Sequence, residues 1–545
     1  MTEVKVIKSK IYAKAPYEIK ETLKSIPTAK WEPKYRLWSF AATPAVAQSL
    51  DTLLSPDIVD DKFRELLEQS FDIISADSFK QQDDLPQPEI RRNDSWKHQL
   101  QAYHFAANLP AAMLYMAMGT GKSKVAVDLI INRGYKRVLI VCPKSVINVW
   151  PKEFKKHAGH DRYEVLPLTT GSVAKKKEAT EFFLKLQATK GNQAIVVVNY
   201  ETVWRPPFDD FATKAGFDLV VLDESHKIKA PGSKVSQYFG RLADKVTHRL
   251  CLTGTPMPNG PLDVYGQYRF LDKGIYGTSY VKFRARYAVT VPVGEKRQMV
   301  VAFQNQDELH DKFYSIAYRA DKDVLDLPPA IHQVREVELS PKTLKFYREL
   351  ERDFYAWIET EKGQGKEVSI NNALTKLLRL QQVCSGFVPS DDGDIIQTGT
   401  EKFDELVDYF EDLDKNEPVV VFCRFRHDLD AVHEAAKRTG RTSSELSGRV
   451  NTLKEWQEGK TDVIAVQIQA GGVGIDLTRA NYCVYYSVGF SLGDYEQSLA
   501  RIHRPGQTKT TFYTHIIAAG TVDEKVHEAL DKKKKVVESI LNKEV

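Results

Sequence analysis

Beyond residue 88, short apolar runs alternate with amphipathic stretches. The clearest runs of the first half are Ala112-Met113-Leu114-Tyr115-Met116, Val138-Leu139-Ile140-Val141-Cys142, Ala194-Ile195-Val196-Val197-Val198 and Leu219-Val220-Val221-Leu222. Each is apolar on both faces, as a strand must be when helices cover its sheet on both sides. A second set runs from Pro418-Val419-Val420-Val421-Phe422-Cys423 through Val463-Ile464-Ala465-Val466 to Tyr482-Cys483-Val484-Tyr485-Tyr486. The stretch from Ser123 to Ile131 has helical periodicity, and so does the longer one from Ser340 to Gln382. The alternation predicts an α/β chain with two doubly wound parallel sheets and no obvious internal repeat. A Tyr-, Phe- and Arg-rich segment, residues 265–330, and the Ser340–Gln382 helices fall between the two sets.

At 545 residues the chain exceeds one hydrophobic core and implies roughly three domains. We expect them at residues 1–88, 89–328 and 329–545. A hydrophobic content of 42% with 28% charged residues is ordinary for a globular protein. No apolar run is as long as a membrane span, and Met1-Thr2-Glu3-Val4-Lys5-Val6 lacks a signal-peptide core, so a cytosolic protein is expected. Cys142, Cys251, Cys384, Cys423 and Cys483 lie far apart and mostly within apolar runs, which reads as reduced, buried thiols rather than zinc ligands.

The net charge of +4 is small for this size, so any nucleic-acid contact has to come from a local groove. Charge is uneven near the start. Residues 1–40 carry nine Lys/Arg against four Glu, and residues 51–89 carry three Lys/Arg against eleven Asp/Glu. The contrast predicts a small basic module followed by an acidic connector that ends near Pro88.

Gly119-Thr120-Gly121-Lys122-Ser123 follows an apolar run and precedes a helical pattern, the strand-loop-helix context of a phosphate-binding P-loop. Glycines let backbone N–H groups close on phosphate oxygens, and Lys122 is expected to reach the β/γ-phosphates and Ser123 to ligate Mg²⁺. The strict pattern has Gly where this chain has Met116. About a hundred residues on, the strand Phe217–Leu222 delivers Asp223-Glu224-Ser225-His226, with Asp223 expected on Mg²⁺ and Glu224 on the attacking water. Far downstream, Gln497-Ser498-Leu499-Ala500-Arg501-Ile502-His503-Arg504-Pro505-Gly506-Gln507 sets two arginines three residues apart, suited to gripping a nucleotide from a second side.

Other features carry less. Gly363-Gln364-Gly365-Lys366 mimics a P-loop but lacks the preceding strand and the following Ser or Thr. Lys175-Lys176-Lys177 and Lys532-Lys533-Lys534-Lys535 read as solvated helix faces, and His310 and His427 have no partners at metal spacing.

The ordered set of motifs resembles the Swi/Snf-type ATPases of helicase superfamily two. Val138-Leu139-Ile140-Val141-Cys142-Pro143-Lys144-Ser145, continuing to Trp150 and Phe154, is similar to motif Ia, and Asp223-Glu224-Ser225-His226-Lys227-Ile228-Lys229 to motif II. Leu252-Thr253-Gly254-Thr255-Pro256-Met257-Pro258-Asn259 resembles motif III. Gln469-Ala470-Gly471-Gly472-Val473-Gly474-Ile475-Asp476-Leu477-Thr478 resembles motif V, and the Arg501 and Arg504 stretch motif VI. The segments around Pro16-Tyr17, Trp31-Glu32-Pro33-Lys34 and Leu37-Trp38-Ser39-Phe40 resemble the amino-terminal domain of the HepA-related annealing branch.

The resemblance implies two tandem RecA-like lobes of the P-loop NTPase class, with a small α+β amino-terminal domain. ATP is expected between the lobes and DNA across both. Gln99 would read adenine, and Gly119, Thr120, Gly121, Lys122 and Ser123 would hold the phosphates. Gly474 and Asp476 would face the nucleotide, and Arg501 and Arg504 would act as arginine fingers. Lys144, Ser145, Tyr200 and Arg424 sit where the family touches DNA, and Trp31 stands ready to stack at a junction. His226, Thr253, Thr255 and Gln497 are the expected coupling residues. For Trp38 the core of the small domain is the expected place.

The expected function is a DNA-dependent ATPase with ATP and Mg²⁺ as its cofactors. It would translocate on duplex DNA as a monomer, without sequence preference, and remodel or reanneal forks. Alternatives are a strand-separating helicase, for which we identify no wedge, and an ATP-switched clamp. A compact motor of this kind suits a bacterial or bacteriophage setting, associated with the nucleoid and without membrane contact, in repair, replication, recombination or defence.

Overall fold

β-branched and aliphatic runs become strands here because helices bury them from both faces, and sequence order then gives way to crossover order. The computed structural model describes residues 2–71, 79, 81–293, 297–363, 370–390, 394–470 and 475–542. Gly474 and residues 364–366 of the P-loop mimic lie outside the described residues. The chain divides into two units: Met1–Val289 with Val300–Val324 and Ser539–Val545, and Thr290–Met299 with Leu325–Glu538.

The first unit opens with a small mixed sheet. β1 (Glu3–Ile7), β2 (Lys10–Lys14), β3 (Lys30–Glu32), β4 (Leu37–Ala41) and β5 (Ile58–Val59) lie in the order β3-β4-β2-β1-β5. Val4, Ile11, Leu23, Trp38, Phe40, Leu50 and Phe63 form its core. The helix Pro44–Leu54 starts where Thr43 accepts a hydrogen bond from the Val46 N–H and Pro44 supplies a preset φ, and it stops at Ser55 in the left-handed region.

The acidic stretch differs from expectation. Only its later part is available as a connector, because β5 pairs parallel with β1 and the helix Asp61–Phe71 sends Phe63 into the core with Leu66 and Leu67 packed beside it. Apolar residues at helical spacing outweigh the charge of the exposed face.

The large sheet of the first unit comprises β6 (Ala111–Met116), β7 (Arg137–Cys142), β8 (Tyr163–Pro167), β9 (Gln193–Asn199), β10 (Leu219–Asp223), β11 (His248–Thr253) and β14 (Ala317–Ala320). β12 (Ala288–Val293) and β13 (Arg297–Phe303) make a separate two-stranded sheet. The large sheet runs β14-β6-β11-β10-β7-β9-β8, parallel at every pairing.

In the second unit, β15 (Ala330–Val337), β18 (Val419–Cys423), β19 (Ser443–Leu446), β20 (Val463–Gln467), β21 (Tyr482–Tyr485) and β22 (Thr511–Ala518) form a second parallel sheet. Its order is β15-β22-β21-β18-β20-β19, and β16 (Phe387–Pro389) pairs antiparallel with β17 (Ile395–Gln397) beside it. Val420, Phe422, Ile464, Val466 and Tyr485 pack on one face and Val419, Val421, Val463 and Val484 on the other. The Ser340–Gln382 stretch is helical as expected, in two helices, Pro341–Gly363 and Ile370–Cys384.

Candidate nucleotide site

The register of three neighbouring strands gathers the chemistry of the first unit. Asp223 at the end of β10 lies beside Leu252 of β11, and Thr253 of β11 lies beside Tyr115 of β6. The carboxyl ends of the three strands are therefore level, and the loops after Met116, Asp223 and Thr253 meet at one edge, where open parallel sheets bind ligands.

Gly119 and Gly121 both have φ of 88°, which a side chain would strain, and Gly121 caps the helix Lys122–Asn132. A Cβ at Gly121 would overlap the Gln99 amide. Met116, where the strict pattern has Gly, is fully buried as the last residue of β6, so its side chain points into the core and away from the loop. Its carbonyl accepts from Lys122 Nζ at 2.8 Å, with the Ala117 carbonyl at 3.3 Å. Thr120 is buried and its hydroxyl donates to the Ala117 carbonyl.

The buried Gln99 amide is engaged at both ends: Oε1 accepts from the Trp96 N–H at 3.0 Å, and Nε2 donates to the Thr120 carbonyl at 3.0 Å. His98 Nε2 donates to the same carbonyl at 2.8 Å. Both side chains thus brace the loop from the helix Lys97–Ala107. In the first two turns of the following helix, Lys124 Nζ meets Asp128 Oδ2 at 2.8 Å with both groups buried, and the Ser95 hydroxyl donates to the same oxygen.

Trp150 Nε1 donates to Asp223 Oδ2 at 3.2 Å, and the Tyr200 hydroxyl donates to the Asp223 carbonyl at 2.8 Å. Desolvation and the adjacent Glu224 carboxylate push the Asp223 carboxyl up to about 7, against the pull of the Lys122 ammonium. Glu224 is buried and left-handed, with φ 54° and ψ 54°. Its Oε2 lies 3.4 Å from His226 Nδ1 without a well-directed hydrogen bond. Two crowded carboxylates at one strand end are short of positive charge, and such an oxygen donor set fits a hard divalent cation.

His226 Nδ1 lies 3.5 Å from Thr253 Oγ1, which accepts from the Thr255 N–H at 3.0 Å, so the turn after β10 and the loop after β11 touch. Sequence reasoning missed Gln267, which joins the same two segments through Ser225 and Pro256. Its signal was a polar residue within the Val264–Leu271 helix, where the remaining positions apart from Arg269 are apolar, aromatic or glycine.

In the second unit, Arg501 and Gln497 are buried, and the Arg501 carbonyl accepts from the Leu477 N–H at 3.0 Å. Arg504 Nη1 donates to the Ile475 carbonyl at 3.1 Å, and Gln507 Nε2 donates to the Ala480 carbonyl at 2.8 Å. The segments resembling motifs V and VI are thereby sewn together. Asp476 is exposed, and its Oδ1 accepts from the Thr478 N–H and hydroxyl.

The expected DNA grips divide. Lys144 and Ser145 are exposed on a short 3-10 turn, and Trp31 is 44% exposed with its ring edge-on to Trp38 at 5.4 Å. Trp38, 7% exposed, belongs to the core. Tyr200 is corrected: it is 4% exposed and its hydroxyl is turned inward to Asp223, so it supports the carboxylate strand and presents nothing to a phosphate backbone. Arg424 is partly buried, with Nη1 donating to Gln381. Lys176 is also corrected from a solvated face: it is buried, and Nζ donates to Thr202 Oγ1 at 3.1 Å, beneath the Asn199–Glu201 turn.

A strand-loop-helix with a left-handed glycine pair, level with a carboxylate pair two strands away, defines a P-loop nucleoside-triphosphatase. The chain matches the SNF2-related domain over residues 21–386 and the helicase conserved C-terminal domain over residues 401–506. It belongs to the SNF2-related family and is an ATP-hydrolysing enzyme of helicase superfamily two.

Among its relatives, protein p41 of Acyrthosiphon pisum secondary endosymbiont phage 1 is 27% identical over 455 residues, 78% of this chain and 94% of that protein. An uncharacterized ATP-dependent helicase of Mycoplasma pneumoniae is 26% identical over 78% of this chain and 40% of its own length. The DNA repair and recombination protein RDH54 of Saccharomyces cerevisiae is 25% identical over 72% of this chain and 43% of its own. The chain thus spans about two fifths of the length of the mycoplasma and yeast relatives. The Sulfolobus solfataricus SWI2/SNF2 ATPase core in complex with dsDNA aligns with a TM-score of 0.39 at 21% identity, covering 85% of this chain and 96% of that one. Among the described residues, no helix is long and apolar enough to cross a membrane.

Proposed function

We propose that the protein is a DNA-dependent ATPase that translocates on double-stranded DNA and uses that motion to remodel or reanneal forks. The observation that carries the ATPase part is the meeting of the Lys122 loop with Asp223 and Thr253 at the carboxyl edge of one parallel sheet. Gly119, Thr120, Gly121 and Lys122 receive the triphosphate, and Gln99 adds an adenine contact to its bracing of the loop. Ser123 and Asp223 hold Mg²⁺, which neutralises phosphate charge when bound. Glu224 orients the attacking water, and Arg501 and Arg504 offset charge that develops in the transition state. Gly474 and Asp476 belong to the nucleotide side of motif V. His226, Thr253, Thr255 and Gln497 couple the site to the rest of each lobe.

DNA as the partner is supported by family membership and by the exposed Lys144 and Ser145, which suit phosphate contacts that ignore sequence. Trp31 is the junction reader, a role supported by its exposure on the small sheet. Residues 1–88, 89–328 and 329–545 serve as accessory domain, first lobe and second lobe. The enzyme acts as a monomer in a bacterial or phage-infected cytoplasm, at the nucleoid.

The test is steady-state ATP turnover with no DNA, single strand, duplex and forked duplex. Stimulation by duplex, and more by the fork, is expected. Stimulation by single strand alone would select the strand-separating helicase, and none at all would remove DNA as the effector.

A further inference from the structure

Gln267 is 0% exposed, in the middle of the helix Val264–Leu271. A buried carboxamide destabilises the fold unless its donors and acceptor are met. Here all of them are, and two of the partners lie in the loops of the site. Oε1 accepts from the Ser225 hydroxyl at 2.7 Å, while Nε2 donates to the Pro256 carbonyl at 2.7 Å and to the Asp263 carbonyl at 3.1 Å. Ser225 directly follows Glu224, and Pro256 directly follows Thr255.

A second, independent feature presses the same helix onto the same turn. A Cβ at Gly266 would overlap the Ile228 carbonyl and reach 3.0 Å from Ser236 Oγ, so only glycine permits this approach. The turn Ser225–Ile228 is therefore held from behind by Gly266 and Gln267. What it holds is unusual backbone: Glu224 is left-handed without being glycine, a strained conformation that persists only where the surroundings fix it.

We infer that Gln267 is a positioning residue for ATP hydrolysis, fixing the left-handed Glu224 through Ser225 and tying that turn to the Thr253–Pro256 loop. The inference rests on the proposed role of Glu224. Gln267 is fully buried and acts through Ser225 and Pro256. Its loss leaves phosphate binding by the Gly119–Ser123 loop intact and misplaces the carboxylate.

The experiment measures kcat, KM for ATP and thermal midpoint for the full chain and for Ser225→Ala, Gln267→Leu, the double variant and Glu224→Gln. We expect kcat to fall about tenfold or more in Ser225→Ala and Gln267→Leu, with KM within about twofold of wild type. Gln267→Leu strands a buried hydroxyl and a carbonyl. The double variant removes the hydroxyl again, so its thermal midpoint rises above that of Gln267→Leu while kcat stays low. Recovery of kcat together with the midpoint would reduce Gln267 to a packing residue and overturn the inference, as would near-normal kcat in Ser225→Ala and Gln267→Leu. Ser225→Ala removes one oxygen atom, so it keeps the test decisive if Gln267→Leu fails to fold. Wild-type protein without ATP turnover would sink the proposed function itself. An inactive Glu224→Gln beside a normal Gln267→Leu would sink this inference alone.

Discussion

The Tyr200 hydroxyl donates to the Asp223 carbonyl at 2.8 Å, joining the turn after β9 to the end of β10, although β7 separates these strands in the sheet. A tyrosine committed in this way stabilises the strand end that carries the carboxylates. Tyr200→Phe is expected to lower kcat several-fold, since a buried carbonyl loses its donor, a loss of ~1–3 kcal/mol. DNA affinity and its dependence on salt should stay unchanged. A phosphate grip behaves differently: its loss weakens binding and flattens the salt slope by about one. Titrating duplex DNA at several salt concentrations separates the two.

Lys122 folds onto the carbonyls of Met116 and Ala117 and lies close enough to Asp223 to pull its carboxyl down. Lys122→Ala should abolish turnover and weaken ATP binding together, because the cation that holds the loop is also the one proposed to meet the phosphates. Glu224→Gln keeps the shape and removes the charge, so ATP binding should survive while hydrolysis is lost. Fluorescent-nucleotide binding beside steady-state turnover checks both. Turnover near wild type in either variant would remove the assigned site.

What was legible in the chain was whatever is local. Runs such as Val138–Cys142 and Ala194–Val198 became strands because their two-sided hydrophobicity leaves no other place for them. The Gly119–Ser123 loop and Asp223-Glu224 could be read because their chemistry is written in consecutive residues. What could not be read depends on which atom faces which. Tyr200 and Lys176 look like surface contacts in a sequence and are interior supports in the fold, since only the packing of β9 against its neighbours turns them inward. Gln267 lies 42 positions from Ser225, and no periodicity links the two. The helix Asp61–Phe71 was hidden by charge, because eleven acidic residues between 51 and 89 mask the few apolar positions that hold it.

Lys402 and Asp523 form an ion pair at 2.8 Å within the second unit, with side chains 1% and 10% exposed. Removing one partner of such a pair strands the other charge away from water, at a cost of ~3–5 kcal/mol. Lys402→Met is therefore expected to destabilise the second unit strongly, whereas Lys402→Met with Asp523→Leu should recover much of the loss. Urea denaturation followed by tryptophan fluorescence reads this. An unchanged midpoint in Lys402→Met would show that the pair is open to solvent.

Trp31 offers a cleaner test of junction reading than deleting the small domain. Thr43 at the start of the helix Pro44–Leu54 packs so tightly on Gly274 that a Cβ there would overlap its hydroxyl, and deletion would uncover that surface. Trp31→Ala removes a half-exposed ring and leaves Trp38 in the core. We expect duplex-stimulated turnover to persist and the extra stimulation by a fork to fall, since stacking on an unpaired base is worth ~1–3 kcal/mol. Equal fork preference in Trp31→Ala and wild type would assign junction reading elsewhere.

Arg504 donates to the Ile475 carbonyl, so the helix-like turn that carries it is anchored to the segment resembling motif V. An arginine that offsets transition-state charge contributes little to ground-state binding, because the charge it meets has not yet developed. Arg504→Ala should therefore leave ATP affinity close to wild type and lower kcat by roughly 10³-fold, the lower end of what arginine fingers contribute. Arg504→Lys separates charge from geometry: a lysine keeps the cation and loses the planar fork, so only partial recovery is expected. If affinity fell in proportion to kcat in both variants, Arg504 would be a ground-state contact, and the charge-offsetting role would pass to Arg501.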